Sequence, residues 1–378
     1  MRNRIYGLVA VAVLLSGCTS SFIKLDFVPK ETDVRQFGLT ETRNFYLDAE
    51  IGDSLSLKWS NSTKGGYRNG SIVAADKYIF VSDLAGRIYC FSIENGKVKG
   101  FVDYKGIING SPVIMRNLLV YASVPRNRDY TDLVFYDLAI AREMDATEIE
   151  GKVLTELLLT ESGVVVINNE GRIYKYGYRG EKLFENKTGH ITVSNLLSRG
   201  DEIILLSDGG EVVFIDAKSG ITLRSYKVSG ESLNNGVISG DVIYFTDYGG
   251  ILYGFDIKQR KIILSREMKD KFRMTPAADD RNIHIGGLSG KMYAINRETF
   301  ESAWEVDFEG VLNATPLVLR EKIIVPDLNR AVYFIDKETG DVLKKIEYEE
   351  RVKLTPLYYK GMLFIGTDDG IINAYKVK

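Results

Sequence analysis

Imidazole chemistry is nearly closed to this chain. Its two histidines are His190 and His284, and His284 alternates with Ile283 and Ile285 as a strand residue does. A histidine-based metal cluster or a serine–histidine triad lacks material, so the reading has no catalytic and no metal residue. The two cysteines differ in character. Cys90 lies between Tyr89 and Phe91 and reads as a small buried hydrophobe. Cys18 ends the run Leu15-Ser16-Gly17-Cys18, where small residues open the backbone to a peptidase and the thiol supplies the nucleophile for a thioether. Before it stand Arg2, Arg4 and the apolar stretch Ile5–Leu15. That stretch is too short to cross a bilayer core of ~30 Å, which needs about twenty residues, so residues 1–17 read as a signal peptide and Cys18 as a lipidated mature N-terminus. Several acyl chains on Cys18, palmitate among them, would anchor firmly where one would not. Cys90 would then have no thiol left to pair with.

The balance of 49 basic and 51 acidic residues, net −2, carries no nucleic-acid footprint, which needs a basic excess or stripe. Tyrosine dominates the aromatics, 22 against 2 tryptophans, as befits half-exposed strands with one wet end.

The elements that must position any site repeat. The stretch from Thr275 to Phe308 holds three or four short apolar runs bounded by Gly, Pro, Asp or Asn, which is strand patterning. Its central run Met292-Tyr293-Ala294-Ile295-Asn296 recurs as units ending at Ser92, Asp137, Gly177, Asp216, Asp256, Asn296, Asp336 and Lys376. Successive ends differ by 45, 40, 39, 40, 40, 40 and 40 residues. A period near forty with four strands per unit predicts an all-β fold, an eight-bladed β-propeller of four-stranded antiparallel blades over residues 54–378.

The termini fit each other. The eighth unit stops one strand short, and Leu55-Ser56-Leu57-Lys58-Trp59-Ser60 is one strand with no unit of its own, so the ring is expected to close by pairing the N-terminal strand with the C-terminal ones. Residues 18–53 show no repeat and read as the lipidated Cys18 and a flexible tether, with Phe45-Tyr46-Leu47 packing on the propeller rim. Gly86, Gly171, Gly210, Gly250, Gly290 and Gly370 precede the tyrosine-bearing strand as hairpin turns. Unit two is longer, and Pro125–Tyr130 replaces its tight turn with a solvated loop carrying Arg126 and Arg128.

Tyr333-Phe-Ile-Asp336-Lys-Glu-Thr339-Gly340, with Asn296 and Trp304 eight residues on, resembles the repeat of pyrroloquinoline quinone (PQQ) proteins, in which Asp, Thr-Gly and Trp lock adjacent blades. The Trp position reads Gly100, Asp145, Glu185, Arg224, Leu264 and Lys344 in the other internal units. With the lipid-acceptor Cys18 followed by Thr19, the whole is similar to the BamB-type lipoproteins of outer-membrane assembly. The resemblance implies a non-catalytic scaffold without cofactor, lipid-anchored to the outer membrane and facing the periplasm. Its implied partner is a BamA-like β-barrel assembly subunit, docked by the loops 65–69, 187–190, 229–235 and 269–273. Within those loops Tyr67, Arg68, Phe272 and Arg273 are the expected partner-binding residues, since exposed aromatics and arginine supply most interface energy. Two alternatives stay open: an envelope-anchored propeller binding glycan, peptide or a secretion component, and a PQQ-dependent dehydrogenase. The second would need a carboxylate base, oxygen ligands for calcium and a flat stacking residue. Only Trp59 and Trp304 offer an indole, both at outer-strand positions.

Overall fold

The computed structural model describes residues 21–377 apart from Asn313, so residues 1–17, expected to be a signal peptide, and Cys18 lie outside the described residues. Every regular element described is a strand. The unit with the clearest sequence pattern forms one blade from Ala277–Ala278, Asn282–Gly286, Lys291–Asn296 and Ser302–Asp307, paired antiparallel in chain order from the channel outward. Seven more such sheets complete the eight-bladed propeller, beginning at Val73, Val113, Leu158, Leu197, Leu233, Leu317 and Leu357. Blades are numbered here from the one that starts at Val73. The second departs from four strands, because its lengthened hairpin lets Ile107–Ile108 pair with Ser123 and Val124.

The ring closes as the deficit at its two ends requires. Leu55–Ser62 pairs antiparallel with Ile371–Val377 and becomes the outer strand of blade 8. Trp59 then locks that blade to blade 1: its indole Nε1 donates to the Ile93 carbonyl at 2.8 Å, and a Cβ on Gly96 would stand 2.5 Å from the ring. Trp304 repeats the arrangement from blade 6 to blade 7, donating to the Lys337 carbonyl at 2.9 Å beside Gly340. In blade 3 this position belongs to Phe184, which packs on Gly220, rather than to Glu185. The preceding turn is one residue shorter than in blade 6, so counting eight residues overshoots.

Residues 21–53 correct the expectation of a flexible tether. Ile23, Leu25, Val34, Phe37, Phe45 and Ile51 are buried. Gly100 stands at the Trp position of blade 1, and the slot left by its missing side chain is filled by backbone: a Cβ there would lie 1.9 Å from the Phe22 carbonyl oxygen. Leu25 N–H donates to Leu138 O at 2.8 Å, the blade 2 equivalent of the carbonyls that take the two indoles. A strap of chain thus replaces the absent tryptophan.

The chain then enters the central channel and circles it. The backbone N–H groups of Ala74, Ile114, Ser198, Ile238 and Val318, one from each of five innermost strands, donate to the carbonyls of Val34, Arg35, Glu41, Thr42 and Phe45 at 2.7–3.0 Å. At the same position in blades 3 and 6, Leu159 and Ala278 exchange hydrogen bonds with the side-chain amides of Gln36 and Asn44. In blade 8 the Tyr359 hydroxyl bonds Asp33. An innermost strand has an unpaired edge facing the channel, and buried backbone donors must find partners. Residues 33–45 supply them and plug one end. Phe45 therefore packs edge-on against Phe37 inside the channel, not on the rim.

Two changes at Trp59 separate packing from bonding. Trp59→Phe keeps the ring and loses the Ile93 bond, about 1 kcal/mol, whereas Trp59→Ala is expected to cost about 3–5 kcal/mol in urea unfolding. Deleting residues 54–60 should abolish the single cooperative transition, and an unchanged melting profile would sink the closure argument.

Candidate functional site

Three residues before each channel-facing donor lies a second repeated column: Ser71, Ser111, Glu156, Asn195, Asn235, Thr275, Thr315 and Thr355. All eight are polar, and at five of the blade interfaces the side chain of one blade accepts from the backbone of its neighbour. Ser71 N–H donates to Ser111 Oγ at 2.9 Å, Ser111 N–H to Glu156 Oε2 at 2.7 Å, Glu156 N–H to Asn195 Oδ1 at 2.9 Å and Asn195 N–H to Asn235 Oδ1 at 2.8 Å. Thr275 N–H adds a longer bond to Thr315 Oγ1 at 3.3 Å. This belt rims the open end of the channel, opposite the plug. Above it a cavity of about 570 Å³ is lined by loops of all eight blades, with Phe37 of the plug among its walls.

Glu156 is the one carboxylate in the belt. Burial pushes it up to about 7, against the opposing pull of the Ser111 N–H and of Arg43. Gly110 leaves room for it, since a Cβ there would meet Oε2 at 2.8 Å. Arg43 is buried in the plug and spends its donors on carbonyls, Leu196 O at 3.0 Å, Leu157 O at 2.8 Å and Phe37 O. Burial brings it down to about 10, so it stays charged at neutral pH.

Of the four residues expected to meet a partner, two are inside. Tyr67 is 1% exposed and donates its hydroxyl to Gly370 O at 2.7 Å, and Phe272 is 3% exposed with its ring 6.0 Å from Tyr293. The aromatic type is present in both loops, but each ring turns inward to fill the blade. Arg68 and Arg273 do line the cavity and remain exposed, Arg68 bonding Asn109 Oδ1. Sequence reading missed the apolar surface around them. Ile191, Val193 and Tyr248 are 53%, 61% and 59% exposed. Val193 and Tyr248 border a groove of about 370 Å³ that also takes in Lys271, Phe272 and Leu288, next to the cavity. Alternation of Ile191 and Val193 just before an innermost strand was the available signal. The column that contains Glu156 was also visible, as the residue preceding Pro112, Pro276, Pro316 and Pro356 in four units.

The imidazoles do no work at this site. His284 is fully buried between blades 6 and 7, its Nε2 3.0 Å from Asp279 Oδ2. Burial pushes Asp279 up, but the hydrogen bonds from His284, from Lys337 at 2.8 Å and from Asn282 N–H prevail and hold it well below the usual carboxylate range. His190 pairs with Glu211 at 2.9 Å on the surface of blade 4. Burial likewise pushes the Cys90 thiol well up.

A PQQ–calcium group does not fit these residues. Both indoles are committed between blades, so neither can stack on a planar ligand in the channel. Among the described residues no three His, Cys, Asp or Glu side chains gather at metal-binding distance.

Comparison with known proteins accords with the ring. The sequence profile of the family described as outer membrane protein assembly factor BamB matches residues 143–275 and again 261–378. The outer membrane protein assembly factor BamB of Moranella endobia (strain PCIT) is 29% identical over 146 residues, which are 35% of this chain and 36% of that protein. The matched part thus spans about a third of the curated relative. Among solved structures, BamB from Moraxella catarrhalis superposes with a TM-score of 0.71 at 15% identity, over 85% of this chain and 100% of its own. The quinohemoprotein alcohol dehydrogenase ADHIIG from Pseudomonas putida HK5 gives 0.79 at 10% identity, over 92% and 80%. At such identities both speak for the fold alone.

Glu156 supplies a pH test of the belt. The folded protein keeps its proton up to about pH 7, whereas the unfolded chain releases it near 4.5. Stability from this group is therefore greatest below pH 4.5 and falls as pH rises to about 7. Glu156→Gln keeps an acceptor for Ser111 N–H and removes the charge. In urea unfolding it should be more stable than the parent at pH 8, by up to about 3 kcal/mol, with the gap closing near pH 5. An equal gap at both values would refute the buried-acid assignment.

Proposed function

This chain belongs to the family of the outer membrane protein assembly factor BamB, and from that membership we propose that it is a non-catalytic scaffold in the assembly of outer-membrane β-barrel proteins. Cys18 carries the lipid, the propeller faces the periplasm from the outer membrane, and the partner is the BamA-like barrel-folding subunit. The observation that carries the reading is the open face of the ring. There exposed Ile191 and an apolar groove bordered by exposed Val193 and Tyr248 adjoin a polar cavity flanked by Arg68 and Arg273.

Exposed apolar side chains also occur along the outer strands, as at Leu183, Ile221, Leu223 and Val342, but Ile191, Val193 and Tyr248 stand on loops at the mouth of the channel, beside the cavity. Exposed apolar residues ringed by arginine and amide groups have the composition of an interface centre with a polar rim. Commitment of both tryptophans to the blade locks, together with the lack of a ligand set for a hard cation, speaks against the dehydrogenase reading.

Capture from solubilised envelope tests the proposal. The lipidated protein should retain the barrel-folding subunit, and failure to do so under conditions that preserve the assembly machinery would remove the reading. Ile191→Asp and Val193→Asp should each weaken retention by roughly thirtyfold, the consequence of losing about 2 kcal/mol at an interface centre, with an unchanged melting temperature. Tyr67→Phe should leave retention intact, because its hydroxyl serves only internal bonds, donating to Gly370 O and accepting from Thr63 Oγ1.

A further inference from the structure

The strap between blades 1 and 2 has a consequence for how the protein meets the membrane. Ile23 is fully buried, and its N–H and carbonyl both bond the Tyr136 hydroxyl, each at 3.0 Å. Leu25 is pinned to Leu138 O at 2.8 Å, and the Phe27 ring lies 6.2 Å from Tyr78. The chain therefore leaves the propeller at one fixed place, the outer edge between blades 1 and 2 on the plugged side. From Cys18 to Ser21 there are three residues, which reach about 10 Å when fully extended.

We propose that this edge lies against the lipid surface, with the plugged face of blades 1 and 2 apposed to the bilayer and the open mouth of the channel turned away from it. The inference rests on the lipidation of Cys18. Acyl chains buried in a leaflet on so short a leash hold the exit point within about one headgroup layer of the membrane. The side chains around the exit suit that position. Phe22, Val28 and Ile140 are exposed, although each belongs to a segment fixed by the strap or by the adjoining turn of blade 2. Exposed Lys24, Lys97 and Lys99 outnumber Asp26 and Glu94 beside them, which favours an anionic surface. Apolar tips bordered by lysine match the chemistry of an interfacial lipid contact. The same geometry explains why docking residues sit at the mouth: the plugged face is closed to a soluble partner by the bilayer.

Site-directed quenching tests the orientation on the full-length lipidated protein. Val28→Cys, Ile140→Cys, Leu154→Cys and Leu343→Cys variants are labelled with an environment-sensitive fluorophore, and Cys90, being buried, stays unlabelled. They are bound to vesicles of phosphatidylethanolamine and phosphatidylglycerol containing a nitroxide-bearing lipid. Flotation with the vesicles reports the anchor, and loss of fluorescence reports contact. Labels at 28 and 140 should lose fluorescence while those at 154 and 343 keep it. Flotation with equal loss at all four positions, or with none, overturns the orientation and leaves the anchor standing. Failure to float overturns the anchor and the orientation together.

Discussion

Eight innermost strands, each with one edge turned to a common axis, set the problem that this structure has to solve. A strand edge buried without partners leaves amide groups stripped of water, a penalty of about 1–3 kcal/mol for each unsatisfied group. The chain answers at two levels. Residues 33–45 lie across the plugged end and take the same N–H from blade after blade, while the belt of Ser, Thr, Asn and Glu side chains links neighbouring blades near the mouth. Between these layers the channel ceases to be a pore. It becomes a cavity with a floor, open to one side only.

That asymmetry divides the surface by task. The plugged side holds the strap, the crossing segments and the blade locks, all of which serve closure. The mouth side carries the cavity, its exposed arginines and the apolar groove. Blade locks show how little the chemistry of a contact matters when its geometry is kept. An indole N–H, a phenyl ring against glycine and a backbone amide from the strap occupy one structural role at four of the blade interfaces.

Much of the architecture was legible because it is local. Strand, turn and strand recur every forty residues, so the blade count and the borrowed strand at Trp59 follow from counting. The strap and plug were not legible. Residues 21–53 have no period, and their partners are strands 40 to 326 residues away whose edges exist only once the ring has closed. Counting also failed at Glu185, because a turn shortened by one residue moved Phe184 into the lock.

The sequence by itself determined which residues alternate, where the chain must turn and that the ring needs a strand from its own beginning. These depend on residue type and spacing alone. Tertiary structure decided direction. Tyr67 and Phe272 turn inward because the blade has volume to fill, Ile191 and Val193 stay outside because no neighbouring blade covers their loop, and Glu156 is pushed up to about 7 because it is buried where the blades converge. Burial is a property of what surrounds a side chain, and those surroundings come from parts of the chain that meet only when the ring closes.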